Sequence, residues 1–303
     1  MSKDSVHKTV LLQEAIDGLN LAGKPVKDLV VVDATFGGGG HTREICKRHK
    51  HVRVVAIDND AGTWARAHDT FETCNISFHN TNFSEIDTAL LKEGIEAVDG
   101  IVFDLGLSSD QLETSGRGFS FKKDEPLVMT MKEHPSLEDL TAHDVVNEWS
   151  EESLTEIVRG YGEEKFAKRI AKAIIQARAL APIDTTFDLV QVIEHAVPAV
   201  YRRGRVHFAT RTFQAIRIAV NDELRKIEEG LMKGFESLKV GGRLSVISFH
   251  SLEDRIVKRF YIKKQKEGVA VVINKKVIVP ESEEIKENPR ARSAKLRIIE
   301  KIK

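Results

Sequence analysis

The stretch VVDATFGGGGH, from Val31 to His41, constrains the fold of this chain most strongly. An apolar run there ends in an acid, and four consecutive glycines then lead into a helical pattern. In an open parallel sheet, ligands bind beyond the carboxyl ends of the strands, and the first strand-to-helix turn commonly contacts a phosphate or nucleoside. Glycines let such a turn approach a ligand closely and adopt positive φ. The stretch therefore predicts a ligand-binding turn; a flexible turn without a ligand is the alternative.

Short apolar runs alternate with helical patterns over the first third of the chain, as in a parallel sheet with intervening helices. The candidate strands are Leu29–Thr35, Val52–Asp58, Asn75–Asn80 and Val98–Gly106. The first, second and fourth of them bring an acid to the strand end, at Asp33, Asp58 and Asp104. Strand patterns return at Gly241–Ser251 and in the closing LRIIEKI. These runs predict an α/β fold with a mostly parallel, Rossmann-like sheet.

The middle of the chain has a different character, which predicts an inserted domain. From about Leu112 the sequence is rich in Gly, Pro and charged residues, and helical stretches follow, one of them capped by Asp184 or Thr185. A single long helix is predicted from an apolar stripe at Phe213, Ile216, Val220, Leu224, Ile227 and Leu231. We predict a sheet domain from residues 1–111 and 210–303, an inserted helical substrate-recognition domain at 112–209, and a charged linker at 263–287.

Composition limits the possible partners. The chain has 46 Lys plus Arg and 46 Asp plus Glu, so no overall field draws it to a polyanion or a membrane surface. Nucleic-acid binding must then come from local basic patches. Cys46 and Cys74 lack metal-ligand spacing, and we expect reduced thiols and no metal site in a cytoplasmic protein. Neither a leader sequence nor a membrane-spanning segment is expected.

The type of ligand follows partly from the second strand and the glycines. Asp58, at the end of the second strand, suits hydrogen bonds to a ribose of either NAD or S-adenosylmethionine. A dinucleotide fingerprint needs a third small residue, but Thr42 follows Gly37 and Gly39 at that spacing. The pattern modestly favours a methyltransferase over a dehydrogenase. The later DLGLSSDQL is equally consistent with a polar site and with a simple capped turn.

Ten motifs in order then resemble one family across essentially the whole chain. They are HKTVLLQEAI, DATFGGGGHT, AIDND, NFSEID, DLGLSSDQL, RGFSF, YGEEKFAKRIAKAI, ATRTFQAIRIAVNDEL, SFHSLEDRIVKRF and NPRARSAKLR. Together they resemble the bacterial 16S ribosomal RNA cytosine-N4 methyltransferases, the RsmH or MraW family. The resemblance implies a class I S-adenosylmethionine-dependent methyltransferase fold. It also implies methyl transfer to N4 of a cytidine in the decoding region of the small-subunit RNA.

The resemblance also implies the cofactor contacts, which fall on Gly39, Gly40, His41, Asp58, Phe83, Asp104 and Gln111. In this interpretation Asp58 holds the ribose hydroxyls, Phe83 lies against the adenine, and the turn amides meet the amino-acid end. The cytosine amino group is a poor nucleophile, so a proton acceptor is needed. Asp104, Ser108 and His250 are the candidates, although His250 is also consistent with capping a turn.

Three basic runs predict the RNA contacts, because an unpaired or flipped base must be delivered to the site. The candidate residues are Arg202, Arg203, Arg205, Arg211, Arg255, Lys258, Arg290 and Arg292. The expected partner is 16S rRNA within the small ribosomal subunit, and a homodimer is left open.

Three positions depart from the family pattern. PLVMTM puts Val128 and Thr130 where the family has an acid and an arginine, and HFATR puts Phe208 where it has proline. These changes keep a second hypothesis open, an RNA-binding ribosome-assembly factor with reduced or lost catalysis. A nucleotide-dependent oxidoreductase on a similar sheet is a third, which the glycine pattern disfavours.

Overall fold

A computed structural model describes residues 9–24, 29–71, 74–107, 112, 115–133 and 135–303. The chain divides into two compact units, one formed by Met1–Gly106 with Leu224–Lys303 and the other by Leu107–Glu223. The first unit carries the sheet, and the second is largely helical. The helix Thr210–Asn221 belongs to the second unit, whereas the sequence pattern assigned it to the sheet domain.

The sheet has seven strands in the order β3-β2-β1-β4-β5-β7-β6. The strands are β1 Val30–Asp33, β2 Arg53–Asp58, β3 Asn75–Asn80, β4 Val98–Asp104, β5 Leu238–Ser248, β6 Ala270–Val272 and β7 Lys295–Lys301. Pairs among β1 to β5 are parallel, while β7 pairs antiparallel with both β5 and β6. This arrangement confirms the predicted α/β fold with a mostly parallel, Rossmann-like sheet. It adds β6, which lies inside the segment predicted as a linker.

The central strands are buried on both faces, which explains their unbroken apolar runs. Successive side chains of a strand point to opposite faces. Val32 packs in a core with the helix Glu223–Glu236, and its neighbour Val31 packs in another core with α1 (Leu12–Gly18) and α2 (Gly40–Arg48). Helices therefore cover both faces of β1 and hold its carboxyl end in a fixed place.

The other helices of the sheet unit are α3 Ala61–Ala67, α4 Ile86–Lys92, Ser251–Lys266 and Ser282–Glu287. The helical unit contains Ala142–Glu148, Glu151–Gly160, Ala167–Arg178, Thr186–Ala196, Ala199–Arg202 and Thr210–Asn221. Thr185 caps the helix that follows it, as predicted, in a reciprocal bond pattern with Asp188. No helix among the described residues has the length and apolar character needed to cross a bilayer.

The predicted single helix around residues 213–231 is wrong. Two helices, Thr210–Asn221 and Glu223–Glu236, replace it. Asp222 between them has φ 49°, in the left-handed region that ends a helix. Apolar periodicity continues through this break because both helices bury the stripe, so periodicity alone does not reveal it.

Cys46 and Cys74 are joined in a disulfide, so the expectation of reduced thiols is also wrong. Their Cα atoms are 5.8 Å apart although they are 28 residues apart in sequence. The fold causes this proximity, because α2 ends near the start of β3 and the two residues share an apolar cluster. Sequence spacing carries no signal of such a long-range pairing.

Replacing both cysteines by serine is expected to lower the free energy of unfolding by about 3 to 4 kcal/mol, because the cross-link no longer restricts the unfolded chain. Urea unfolding without reductant measures the change. Reductant should produce the same loss in the wild type and none in the double variant. Equal stability of the wild type with and without reductant would contradict the pairing.

Candidate active site

Three strand-terminal acids meet at one edge of the sheet. Asp33 ends β1, Asp58 ends β2 and Asp104 ends β4. Strand β1 pairs in parallel with both β2 and β4, so their carboxyl ends lie side by side. The glycine turn leaves the same edge between β1 and α2. This is the position at which an open α/β sheet binds its ligand.

The glycines of the turn are required by backbone conformation and by crowding. Gly37 has φ 50° and Gly39 has φ 70°, both in the left-handed region. A Cβ atom on Gly39 would lie 2.7 Å from the Phe71 ring and 2.8 Å from the Phe36 ring. The turn therefore lies directly against an aromatic cluster. His41, the second residue of α2, is buried.

Thr9 is a neighbour of the turn that the sequence pattern did not single out. Its Oγ1 atom would lie only 1.7 Å from a Cβ atom on Gly40, so its side chain occupies the space that a larger residue would need. The segment HKTVLLQEAI was recognised only as a motif. The position of Thr9 beside the turn brings the described part of that motif to the site.

Asp58 is fixed by two backbone amides. Gly37 N donates to Oδ2 at 2.7 Å, and Asp60 N donates to Oδ1 at 2.8 Å. Burial raises the pKa of this carboxyl to about 6, against the lowering effect of the two amides. Each carboxylate oxygen has more than one acceptor site, so both retain capacity for a further donor. Asp58 thus holds the turn and keeps acceptors for vicinal hydroxyl groups.

Asp104 is fixed through its backbone, and one of its carboxylate oxygens is left without a hydrogen-bond partner in the described part of the chain. Its backbone N donates to Thr35 Oγ1 at 2.6 Å, which fixes the end of β4 against the start of the turn. Its Oδ1 atom is buried and has no hydrogen-bond partner among the described residues. Burial raises the pKa of the carboxyl to about 6; His41 and the Gly106 amide lower it, while Asp33 and Glu253 raise it. Such a group changes protonation close to neutral pH.

Phe83 starts a short 3-10 helix, Phe83–Glu85, just beyond the end of β3. Asn82 Oδ1 accepts from Ser84 N at 3.0 Å and so holds this turn. The ring packs edge-on against Phe103 at 5.6 Å. A Cβ atom on Gly230 would lie 2.7 Å from the Phe83 ring. Gly230 therefore makes room for Phe83, and its only sequence signal is a glycine inside a helical pattern.

His250 caps the helix Ser251–Lys266. Its Nδ1 accepts from Glu253 N at 3.5 Å, and its Nε2 lies 3.0 Å from Glu253 Oε1. The described geometry thus gives His250 a capping role, and its catalytic role stays a prediction. The other two predicted residues, Ser108 and Gln111, lie outside the described residues.

All eight predicted RNA-binding residues are exposed. In the helical unit, Arg202 pairs with Glu194 at 3.0 Å and Arg211 donates to the Glu163 carbonyl at 2.7 Å. The Lys165 ammonium nearby lies 5.0 Å from the centre of the Phe166 ring and 4.9 Å from that of Tyr201. Cations and aromatic faces thus share part of this surface. In the sheet unit, Arg255, Lys258, Arg290 and Arg292 are the exposed candidates.

The three family departures lie inside the helical unit. The Thr130 side chain is buried, and the Thr130 carbonyl accepts from the Arg117 guanidinium at 3.3 Å. Val128 belongs to the same segment, in which the Met129 carbonyl accepts from Asn221 Nδ2 at 2.8 Å. Phe208 is buried, and its ring centre lies 4.2 Å from that of His207. Thr130 and Phe208 are thus buried within this unit, and Val128 is half-buried.

Comparison with known proteins identifies the family. The model of the MraW methylase family matches residues 4–302. The chain belongs to this family. It is 44% identical to "Ribosomal RNA small subunit methyltransferase H" of Limosilactobacillus fermentum over 98% of each chain. It is 45% identical to the protein of the same name from Persephonella marina, over 92% of this chain and 94% of that one. The predicted family and the predicted methyltransferase activity are confirmed.

Among solved structures, the chain is similar to an rRNA methylase from Streptococcus thermophilus. The two share 11% sequence identity with a TM-score of 0.44, over 98% of each chain.

Asp104→Asn is expected to stabilise the folded protein at alkaline pH. The pKa of Asp104 is raised from 3.8 to about 6, so the folded state binds its proton more tightly than the unfolded state. The stability from this group is therefore full at acid pH and is lost as the pH rises from about 4 through about 6. Asparagine has no proton to lose, and the gain at about pH 8 should be roughly 1 to 3 kcal/mol.

Urea unfolding of the wild type and Asp104→Asn at about pH 4 and about pH 8 measures this difference. The gain should be large only at the higher pH. A variant no more stable than the wild type at both pH values would contradict the raised pKa.

Proposed function

We propose that this protein transfers the methyl group of S-adenosylmethionine to the N4 amino group of a cytidine in the decoding region of 16S rRNA. Family membership and the name of its relatives support methylation of small-subunit rRNA. The observation that carries the chemistry is the buried Asp104 Oδ1 atom at the ligand-binding edge of the sheet, which accepts no hydrogen bond from the part of the chain that the structure describes.

The residues at this edge fit S-adenosylmethionine. The end of the glycine turn and the start of α2, at Gly39, Gly40 and His41, suit the carboxylate of its amino-acid end, with Gly39 allowing close approach while its own N donates to the Phe36 carbonyl at 2.7 Å. Asp58 keeps acceptor capacity for two ribose hydroxyls, and Phe83 offers an aromatic face for adenine. Gln111 completes the proposed contacts. When bound, the cofactor supplies a methyl group on a positively charged sulfur.

The protein's chemical task is to position the amino nitrogen and remove one of its protons. The N4 lone pair of cytosine is delocalised into the ring, so the nitrogen becomes a good nucleophile only as its proton departs. The bound cofactor would supply the methyl carbon to N4, and its sulfur would keep the electrons of the bond that is lost. The proton passes to Asp104, which with a pKa of about 6 is mostly ionised at neutral pH. Ser108 and His250 are the other proposed members of the site.

The exposed arginines and lysines of the two units provide phosphate contacts for the RNA. Their flexible side chains suit an RNA that is recognised by its shape and by the charge of its phosphates. An unpaired cytidine of that RNA extends into the site. The proposed substrate is 16S rRNA within the small subunit, which places the reaction in the cytoplasm. A homodimer remains compatible with this proposal.

Methyl transfer to purified small subunits that lack the modification tests the proposed function. Labelled S-adenosylmethionine should give N4-methylcytidine on nucleoside analysis, because the site has both a cofactor turn and a proton acceptor. Free 16S rRNA in parallel distinguishes the assembled subunit from naked RNA as substrate.

Two outcomes would contradict the proposal. Cofactor binding without transfer to either substrate would favour the RNA-binding assembly factor and would point to Val128 and Thr130. A methylated nucleoside other than N4-methylcytidine would contradict the assignment of the acceptor atom.

A further inference from the structure

Asp33 is a buried acid to which the proposed reaction gives no role. It ends β1, and its side chain is 0% exposed. Its Oδ2 accepts from Thr42 Oγ1 at 2.6 Å, and its Oδ1 accepts from Thr35 N at 3.3 Å. Burial raises the pKa of Asp33, and hydrogen bonds from Thr42 and Thr35 lower it. A fully buried carboxylate is costly, so its hydrogen-bond partners indicate what it does.

The hydrogen bonds of Asp33 replace the missing cap of α2. The residue at the cap position is Gly39, which has no side chain to accept from the free amides of the first turn. Thr42 is the third residue of the helix. The amide at this position usually donates a hydrogen bond to the capping side chain. The Thr42 backbone amide also acts on the Asp33 carboxyl and lowers its pKa, beside the hydrogen bond from the Thr42 hydroxyl. A residue of the preceding strand thus caps the helix from a distance.

The same hydrogen bonds close the glycine turn at its base. Asp33 and Thr42 are separated by the eight residues 34–41, which include every proposed cofactor contact of the turn. A segment with four glycines has large conformational freedom in the absence of constraints. Phe36 and Phe71 pack against its middle, at Gly39. The Asp33 carboxylate fixes the distance between its two ends.

We propose that Asp33 is a positioning residue that, through Thr42, holds the glycine turn in the conformation that binds the cofactor. This inference rests on the proposed cofactor site. The pair would act before the ligand arrives, so its loss should weaken cofactor binding in the ground state and the transition state alike. Such a change raises KM for the cofactor and leaves kcat nearly unchanged at saturation.

The test compares Thr42→Val, Thr42→Ser and Thr212→Val. Valine at 42 removes the hydroxyl with little change of shape, whereas serine keeps it and should restore binding. Thr212 is a matched control, because it is also fully buried in a helix and its hydroxyl has no hydrogen-bond partner among the described residues. The measurements are the dissociation constant of S-adenosylhomocysteine by calorimetry, KM and kcat for methyl transfer, and the melting temperature.

Thr42→Val should raise the dissociation constant and KM roughly tenfold or more, as expected when a buried acceptor is left without its donor. Thr42→Ser and Thr212→Val should bind as the wild type does. A lower melting temperature for Thr42→Val with unchanged binding would overturn the proposal, because the bond would then serve folding alone.

The variant Asp58→Ala distinguishes a failure of this inference from a failure of the proposed function. If it weakens binding while Thr42→Val does not, only the positioning role of Asp33 fails. If neither variant alters S-adenosylhomocysteine binding, the cofactor site itself is misassigned and the inference fails with it.

Discussion

The parallel pairing of β1 with β2 on one side and β4 on the other is the constraint on which the site depends. It brings three acids from distant parts of the sequence to one edge. It also starts the glycine turn at that edge, where Asp58 accepts from Gly37 N and Thr35 accepts from Asp104 N. Asp58 and Asp104 are thus each joined to the glycine turn by a hydrogen bond, Asp58 through its side chain and Asp104 through its backbone amide. A change of one residue in the register of β1 would turn the Asp33 side chain to the opposite face of the sheet.

The site carries a cost in stability. The pKa values of Asp58 and Asp104 are both raised to about 6, chiefly by burial. The neighbouring Asp33 carboxyl contributes to both shifts, because electrostatic repulsion from it raises the pKa of Asp58 and that of Asp104. Buried carboxyl groups with perturbed pKa values are common at functional sites, because a ligand supplies the donors that the free protein lacks. The cores on both faces of the sheet hold these groups in place despite this cost.

Much of the sheet could be predicted from the sequence because central parallel strands are continuous apolar runs. The strand-terminal acids and the glycines could also be predicted, because they directly follow these apolar runs in the sequence. Features that depend on three-dimensional proximity could not be predicted from the sequence. The Cys46–Cys74 disulfide, the space that Gly230 leaves for Phe83, and the contact of Thr9 with Gly40 all join distant segments. The break at Asp222 was missed because the apolar stripe continues across it. For His250 the sequence offered both a catalytic role and the capping of a turn, and the structure shows the capping bond.

The most direct test of the central claim is the pH dependence of methyl transfer by the wild type and Asp104→Asn, measured in single turnovers at saturating cofactor. If Asp104 accepts the proton, the wild-type rate should fall below about pH 6, where the group becomes protonated. The variant should be slower by roughly 10²- to 10⁴-fold and should lose that inflection. A variant with the wild-type rate and the same inflection would contradict the account and place the proton acceptor elsewhere.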